Sequence, residues 1–125
     1  MKTKILMVDD SALARRTLRQ ALEELGYEVE EASDGAQALE RFFLGAPDVV
    51  ILDMVMSGMY GLDVLAKIRE LKPDARVIVA TADIQRSTAE QVKAAGAQGI
   101  LNKPVNRQAL AATLKTVLEG GHTWS

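Results

Sequence analysis

The chain has no cysteine, so neither a disulfide framework nor a thiolate metal site is available to it. Aromatic residues make up only 4%, too few for a platform on which bases could stack. No charge of one sign dominates. Fifteen Lys and Arg face 17 Asp and Glu, a formal net charge of −2, which argues against non-specific nucleic-acid binding. No apolar run is long. The first one ends at Val8 with Asp9 next, too short for a signal peptide, and none approaches the roughly 20 residues needed to span a bilayer. There is no internal repeat, low-complexity segment or linker. At 125 residues the chain suits one domain, with an ordered core over about 4–119 and a flexible tail over 120–125. A cytoplasmic protein that contacts neither membrane nor nucleic acid is expected.

What is present is ordered with some regularity. Short apolar runs recur at Ile5–Val8, Val49–Leu52, Val77–Ala80 and Gly99–Leu101. Their length and β-branched content predict strands buried on both faces. Tyr27–Glu30 alternates instead, as an edge strand would. Between the runs lie helical stripes. Ala14, Leu18, Ala21, Leu22 and Leu25 share one face before Gly26, and Leu39, Phe42 and Phe43 follow Asp34-Gly35. Leu62, Leu65, Ile68 and Leu71 precede Pro73, and Asn106 is placed to cap a last helix carrying Leu110, Leu114, Val117 and Leu118. The stretch Ser87–Ala95 offers only Ala89, Val92 and Ala95, which makes it the helix with least to bury. Five alternations of strand and helix imply an α/β fold, a doubly wound five-stranded parallel sheet with five helices.

Parallel strands all end along one edge of the sheet, where open α/β sheets bind ligands. Here the runs end in Asp9 and Asp10, Asp53, Thr81, and Asn102 followed by Lys103. Three converging carboxylates repel, by about 4 kcal/mol for a pair roughly 4 Å apart at an effective dielectric near 20. They need a proton, a basic neighbour or a cation. An all-oxygen set suits Mg²⁺ and does not suit zinc. A dication, a lysine and a hydroxyl around a carboxylate are the parts that stabilise a phosphoryl group in transfer, and Asp53 is a candidate covalent acceptor.

The motifs are Val8-Asp9-Asp10-Ser11, Leu52-Asp53-Met54-Val55-Met56, Gly58 with Gly61, Ala80-Thr81-Ala82 and Asn102-Lys103-Pro104. As a set they resemble the receiver domain of bacterial two-component response regulators over about Lys4 to Glu119, with stand-alone chemotaxis receivers nearest in size. The resemblance implies a flavodoxin-like strand order of 2-1-3-4-5. It implies that Asp53 takes a phosphoryl group from a phosphohistidine on a sensor kinase or phosphotransfer protein. Asp10, Asp53 and the Val55 carbonyl would hold Mg²⁺, for which Mn²⁺ can substitute, with Asp9 acting through water. Lys103 and Thr81 would contact phosphoryl oxygens, and the Lys103-Pro104 bond would be cis. Such a protein promotes its own phosphorylation and dephosphorylation without being a dedicated enzyme. It would be a monomer signalling to a downstream protein through the weak helix, the Ile100 strand and the last helix.

Two positions depart from the family pattern. Ser57 stands where proline is usual, and Ile100 where an aromatic ring often couples to the threonine. Thr81 must therefore move the Ala82-Asp83-Ile84 loop by another packing change. Arg15, Arg16 and Arg19 either dock a kinase or pair with nearby glutamates. Asp9-Asp10 would repel the phosphate of a flavin, and Val55 replaces the second Asp of aspartyl-nucleophile phosphatases. A receiver-like module that binds partners without phosphorylation stays open as the alternative.

Overall fold

Each apolar run becomes a strand in the computed structural model, which describes residues 2–56, 59–82 and 85–124, with the side chains of Met59, Arg86 and Ser87 left aside. The main sheet contains β1 (Lys4–Val8), β2 (Glu28–Ala32), β3 (Val49–Asp53), β6 (Val77–Thr81) and β7 (Gly99–Asn102). β4 (Val55–Met56) and β5 (Met59–Tyr60) form a separate antiparallel ladder. The sheet is parallel throughout, in the order β2-β1-β3-β6-β7. Numbered by themselves, its strands run 2-1-3-4-5, the expected order.

Five helices complete the α/β alternation: α1 (Ala12–Glu24), α2 (Gly35–Gly45), α3 (Gly61–Leu71), α4 (Arg86–Ala94) and α5 (Arg107–Leu118). Caps follow the sequence signals. Ser11, Asp34 and Asn106 accept N–H bonds from the first turns of α1, α2 and α5. Gly26, at φ +96, takes the left-handed position just past α1.

The period-2 alternation of the strands divides the core. Leu6, Val8, Val50, Leu52, Val77 and Val79 pack with Phe42 of α2, Leu65 and Ile68 of α3 and Val92 of α4. Ile5, Met7, Val49, Ile51, Ile78 and Ala80 pack with Leu22 of α1 and Leu110, Leu114 and Val117 of α5. The same parity sorts the strand ends. Asp53, next after Leu52, falls on the α1/α5 side, and Thr81, next after Ala80, falls on the other.

Some expectations need correcting. Phe43 is 73% exposed, because Phe42, one position round the helix, takes the inward place. Leu25 and Leu71 are also exposed at their helix ends. Residues 120–124, within the tail expected over 120–125, make defined contacts. Gly121 donates to the Thr116 carbonyl, Thr123 to that of Gln98, and the indole N–H of Trp124 to that of Ala97 at 2.9 Å. The Trp124 ring packs on the same cluster as Ile100. A single tryptophan outside any periodic stripe gives no pattern to read, yet its large apolar face and one donor suit a half-buried seat.

Candidate phosphoryl-acceptor and metal site

Asp9 leaves β1 fully committed. Its N–H donates to the Ala32 carbonyl, Oδ1 accepts from the Ser11 N–H at 2.9 Å, and Oδ2 accepts from Lys103 Nζ at 2.6 Å. Asp53 ends β3, with Lys103 Nζ 3.2 Å from its Oδ1. Asp9 and Asp53 are 5% and 8% exposed, while Asp10 faces solvent. One carboxylate oxygen from each of the three lies within 4.8 Å of the others. Convergence of Asp9, Asp10, Asp53 and Lys103 is therefore a property of the fold.

Thr81 is buried at the end of β6, and its carbonyl accepts the Lys103 N–H at 2.8 Å, tying those two strand ends together. The Lys103-Pro104 bond is cis. Val55 is 64% exposed at the rim, and Ala82 is exposed beside Thr81. Ile100 is half-buried against the core, so no ring stands at that position. Ser57, Gly58, Asp83 and Ile84 lie outside the described residues. A cleft of about 470 Å³ runs from Asp9, Asp53 and Lys103 between α1 and α5, past Ala14, Leu18 and Val105.

Burial pushes the Asp53 carboxyl up from its ordinary range, and the Asp9 charge adds to this. The Lys103 charge and a backbone bond from Val55 pull the other way without cancelling it. Burial lowers the Lys103 ammonium, but its bond to Asp9 and the charges of Asp53 and Asp9 outweigh that, leaving it raised. The site is an acidic cluster short of positive charge.

A carboxyl raised in the folded state favours its neutral form there, so stability declines as pH rises through the unfolded and then the folded value. Asp53→Asn should stabilise the protein near neutral pH in EDTA by on the order of 1 kcal/mol, once attraction to Lys103 is set against repulsion from Asp9. The advantage should vanish as the pH falls below the folded value of Asp53. Urea midpoints at several pH values read this out, and a destabilised Asn variant at neutral pH would contradict it.

Gly61 and Arg15 shape the site through contacts that no sequence pattern marks. A Cβ on Gly61 would lie 2.3 Å from the Asp53 carbonyl oxygen and 2.8 Å from Met54 Cα, so this glycine lets α3 start against the backbone of Asp53. Arg15 donates to the Asp9 carbonyl at 2.6 Å and to Glu31 at 3.1 Å. Arg19 also pairs with Glu31, with its side chain still 41% exposed, and Arg16 faces solvent. The i to i+3 spacing of helices suggests contacts along α1, but not a reach across to β2.

The family model for the response regulator receiver domain matches residues 5–115. The chain belongs to the response regulator receiver domain family. It is 33% identical to the chemotaxis protein CheY of Thermotoga maritima, over 94% of this chain and 98% of that one. It is 38% identical to the response regulator MprA of a Mycobacterium species, again over 94% of this chain, but spans only about half of that relative's length, 51%. A crystal structure of a CheX–CheY complex with BeF₃ and Mg²⁺ from Borrelia burgdorferi aligns with a TM-score of 0.87 at 28% identity, covering 91% of this chain and 87% of that one. This receiver domain therefore shares the CheY-like fold and belongs among two-component signalling proteins. No helix among its described residues is long and apolar enough to cross a membrane.

Proposed function

We propose that this receiver domain accepts a phosphoryl group on Asp53 in a Mg²⁺-dependent reaction and passes the change to a protein partner. The observation that carries this is the placement of Asp53, between Lys103 Nζ at 3.2 Å and two further carboxylates whose oxygens lie within 4.8 Å.

The donor set fits a hard dication. As the family resemblance implies, Asp10, Asp53 and the Val55 carbonyl would hold the ion and Asp9, whose oxygens accept bonds from Ser11 and Lys103, would act through a water. Mn²⁺ would serve as well. Bound there, the ion would neutralise phosphoryl oxygens beside carboxylates that otherwise repel them. Asp53 Oδ attacks phosphorus, an O–P bond forms, the N–P bond of the donor phosphohistidine breaks, and the imidazole departs. Lys103 holds one phosphoryl oxygen and the Thr81 hydroxyl donates to another, a bond to a charged group worth about 1.5–3 kcal/mol. The donor, a sensor kinase or phosphotransfer protein, would approach over the cleft between α1 and α5, where Leu13 stands 73% exposed.

Thr81 and Lys103 share a backbone bond, so drawing Thr81 inward loads β7 as well as the start of α4. The readout surface is α4, β7 and α5, with Ile100 shifting in place of an aromatic ring. The CheX–CheY complex supports a protein as the next partner, and the Thermotoga relative supports chemotaxis as the setting. The protein acts in the cytoplasm as a monomer and promotes its own phosphate turnover without being a dedicated enzyme.

Incubation with acetyl phosphate and Mg²⁺, followed by intact mass, tests this. One phosphoryl group should appear, and neither EDTA-treated protein nor Asp53→Asn should gain it. Unmodified wild type, or equal labelling of Asp53→Asn, would overturn the proposal. Unmodified wild type would favour a partner-binding module that is never phosphorylated.

A further inference from the structure

A cation near the N-terminal end of a helix opposes the helix dipole, and the first turn of α1 contains no acidic residue to offset one. Arg15 nonetheless stands at the fourth position of α1, with its side chain 19% exposed. Helix stability does not explain it, so its contacts must. One guanidinium nitrogen donates to the Asp9 carbonyl at 2.6 Å, and Nε donates to Glu31 Oε1 at 3.1 Å. Glu31 lies on β2, directly opposite Met7 in the register. Its other oxygen is held by Arg19 at 2.5 Å.

The Asp9 backbone is thereby fixed at both of its polar groups by way of β2. Its N–H goes to Ala32, and its carbonyl goes to Arg15, which Glu31 in turn restrains. That carbonyl is the peptide unit linking Asp9 to Asp10. Its orientation sets where the Asp10 side chain starts.

The geometry points to Arg15 as a positioning residue for the metal site: held by Glu31, its guanidinium locks the Asp9-Asp10 peptide so that the Asp10 carboxylate meets that of Asp53. This rests on the Mg²⁺ site proposed above. Partners of this kind, one step behind the ligands, typically change metal affinity by about 10–100-fold when removed.

Charge and positioning predict opposite signs. Removing a cation from beside an acidic site should tighten Mg²⁺ binding if only the field matters. Loss of positioning should weaken it. Titration calorimetry of the metal-free protein with Mg²⁺ separates them. Arg15→Gln is expected to bind Mg²⁺ about tenfold more weakly than wild type. Arg16→Gln, the same charge change at the exposed neighbour, should bind as tightly as wild type or slightly tighter. Arg15→Lys keeps the charge but loses the planar two-point grip, and should weaken binding about threefold, which also decides the matter if the Gln variant does not fold. Arg15 variants that bind like wild type, or tighter, would overturn the inference while leaving the proposed function standing. A wild type with no Mg²⁺ heat would instead overturn the site itself.

Discussion

Lys103→Met is expected to destabilise the metal-free protein by about 2–3 kcal/mol, and added Mg²⁺ should narrow that gap. Lys103 Nζ is the cation seen directly on Asp9, at 2.6 Å, and on Asp53, at 3.2 Å. Both aspartates are buried, with side chains 8% and 10% exposed. Removing one partner of a buried ion pair costs about 3–5 kcal/mol, because the charge left behind is neither solvated nor paired. The lower figure applies here since the Lys103 side chain is 25% exposed and water can replace part of what is lost. A dication bound at the cluster does the same neutralising work. Mg²⁺ should therefore stabilise the Met variant more than it stabilises wild type. Urea unfolding in EDTA and in saturating Mg²⁺ provides all four numbers. An unaffected Met variant in EDTA would show that the ammonium does not hold the cluster together.

Gly61→Ala should be about as damaging by a different route, costing about 3 kcal/mol and sharply reducing phosphoryl uptake. The added methyl would meet the Asp53 carbonyl oxygen at 2.3 Å, Met54 Cα at 2.8 Å and Asp53 C at 3.1 Å. All three are backbone atoms, so no side chain can swing aside. The Gly61 N–H also donates to the Met54 carbonyl at 2.7 Å, which holds the start of α3 against the strand end. Relief must come from moving either α3 or Asp53, and moving Asp53 takes its carboxylate from Lys103. Unfolding measurements together with acetyl phosphate labelling would show both losses. A stable, fully labelled alanine variant would mean that α3 can retreat without disturbing Asp53.

Much of this was legible in the residues because the pattern is redundant. Run length and β-branched content identified the strands; the structure then shows Leu6, Val50 and Val77 alternating in face with Ile5, Ile51 and Ile78, and all parallel strands end on one rim. That sets Asp9, Asp53, Thr81 and Lys103 at or just past the strand ends along one rim. Strand order came from the family resemblance, because periodicity is blind to which neighbours pair. The parts that were missed depend on single contacts between distant segments. Arg15 reaches Glu31 across 16 positions, and Trp124 seats its N–H on Ala97 across 27. Neither leaves a repeating signal. Gly61 was visible as a motif residue, but only the 2.3 Å that would separate an added Cβ from the Asp53 carbonyl oxygen gives its reason.

The most direct measurement places the ion itself. Substoichiometric Mn²⁺ broadens the amide resonances nearest to it. Broadening centred on Asp10, Asp53 and Val55, and removed by excess Mg²⁺, is the result predicted here. Broadening scattered over surface acids such as Glu23, Glu24 and Glu28, with the ends of β1 and β3 untouched, would contradict the account.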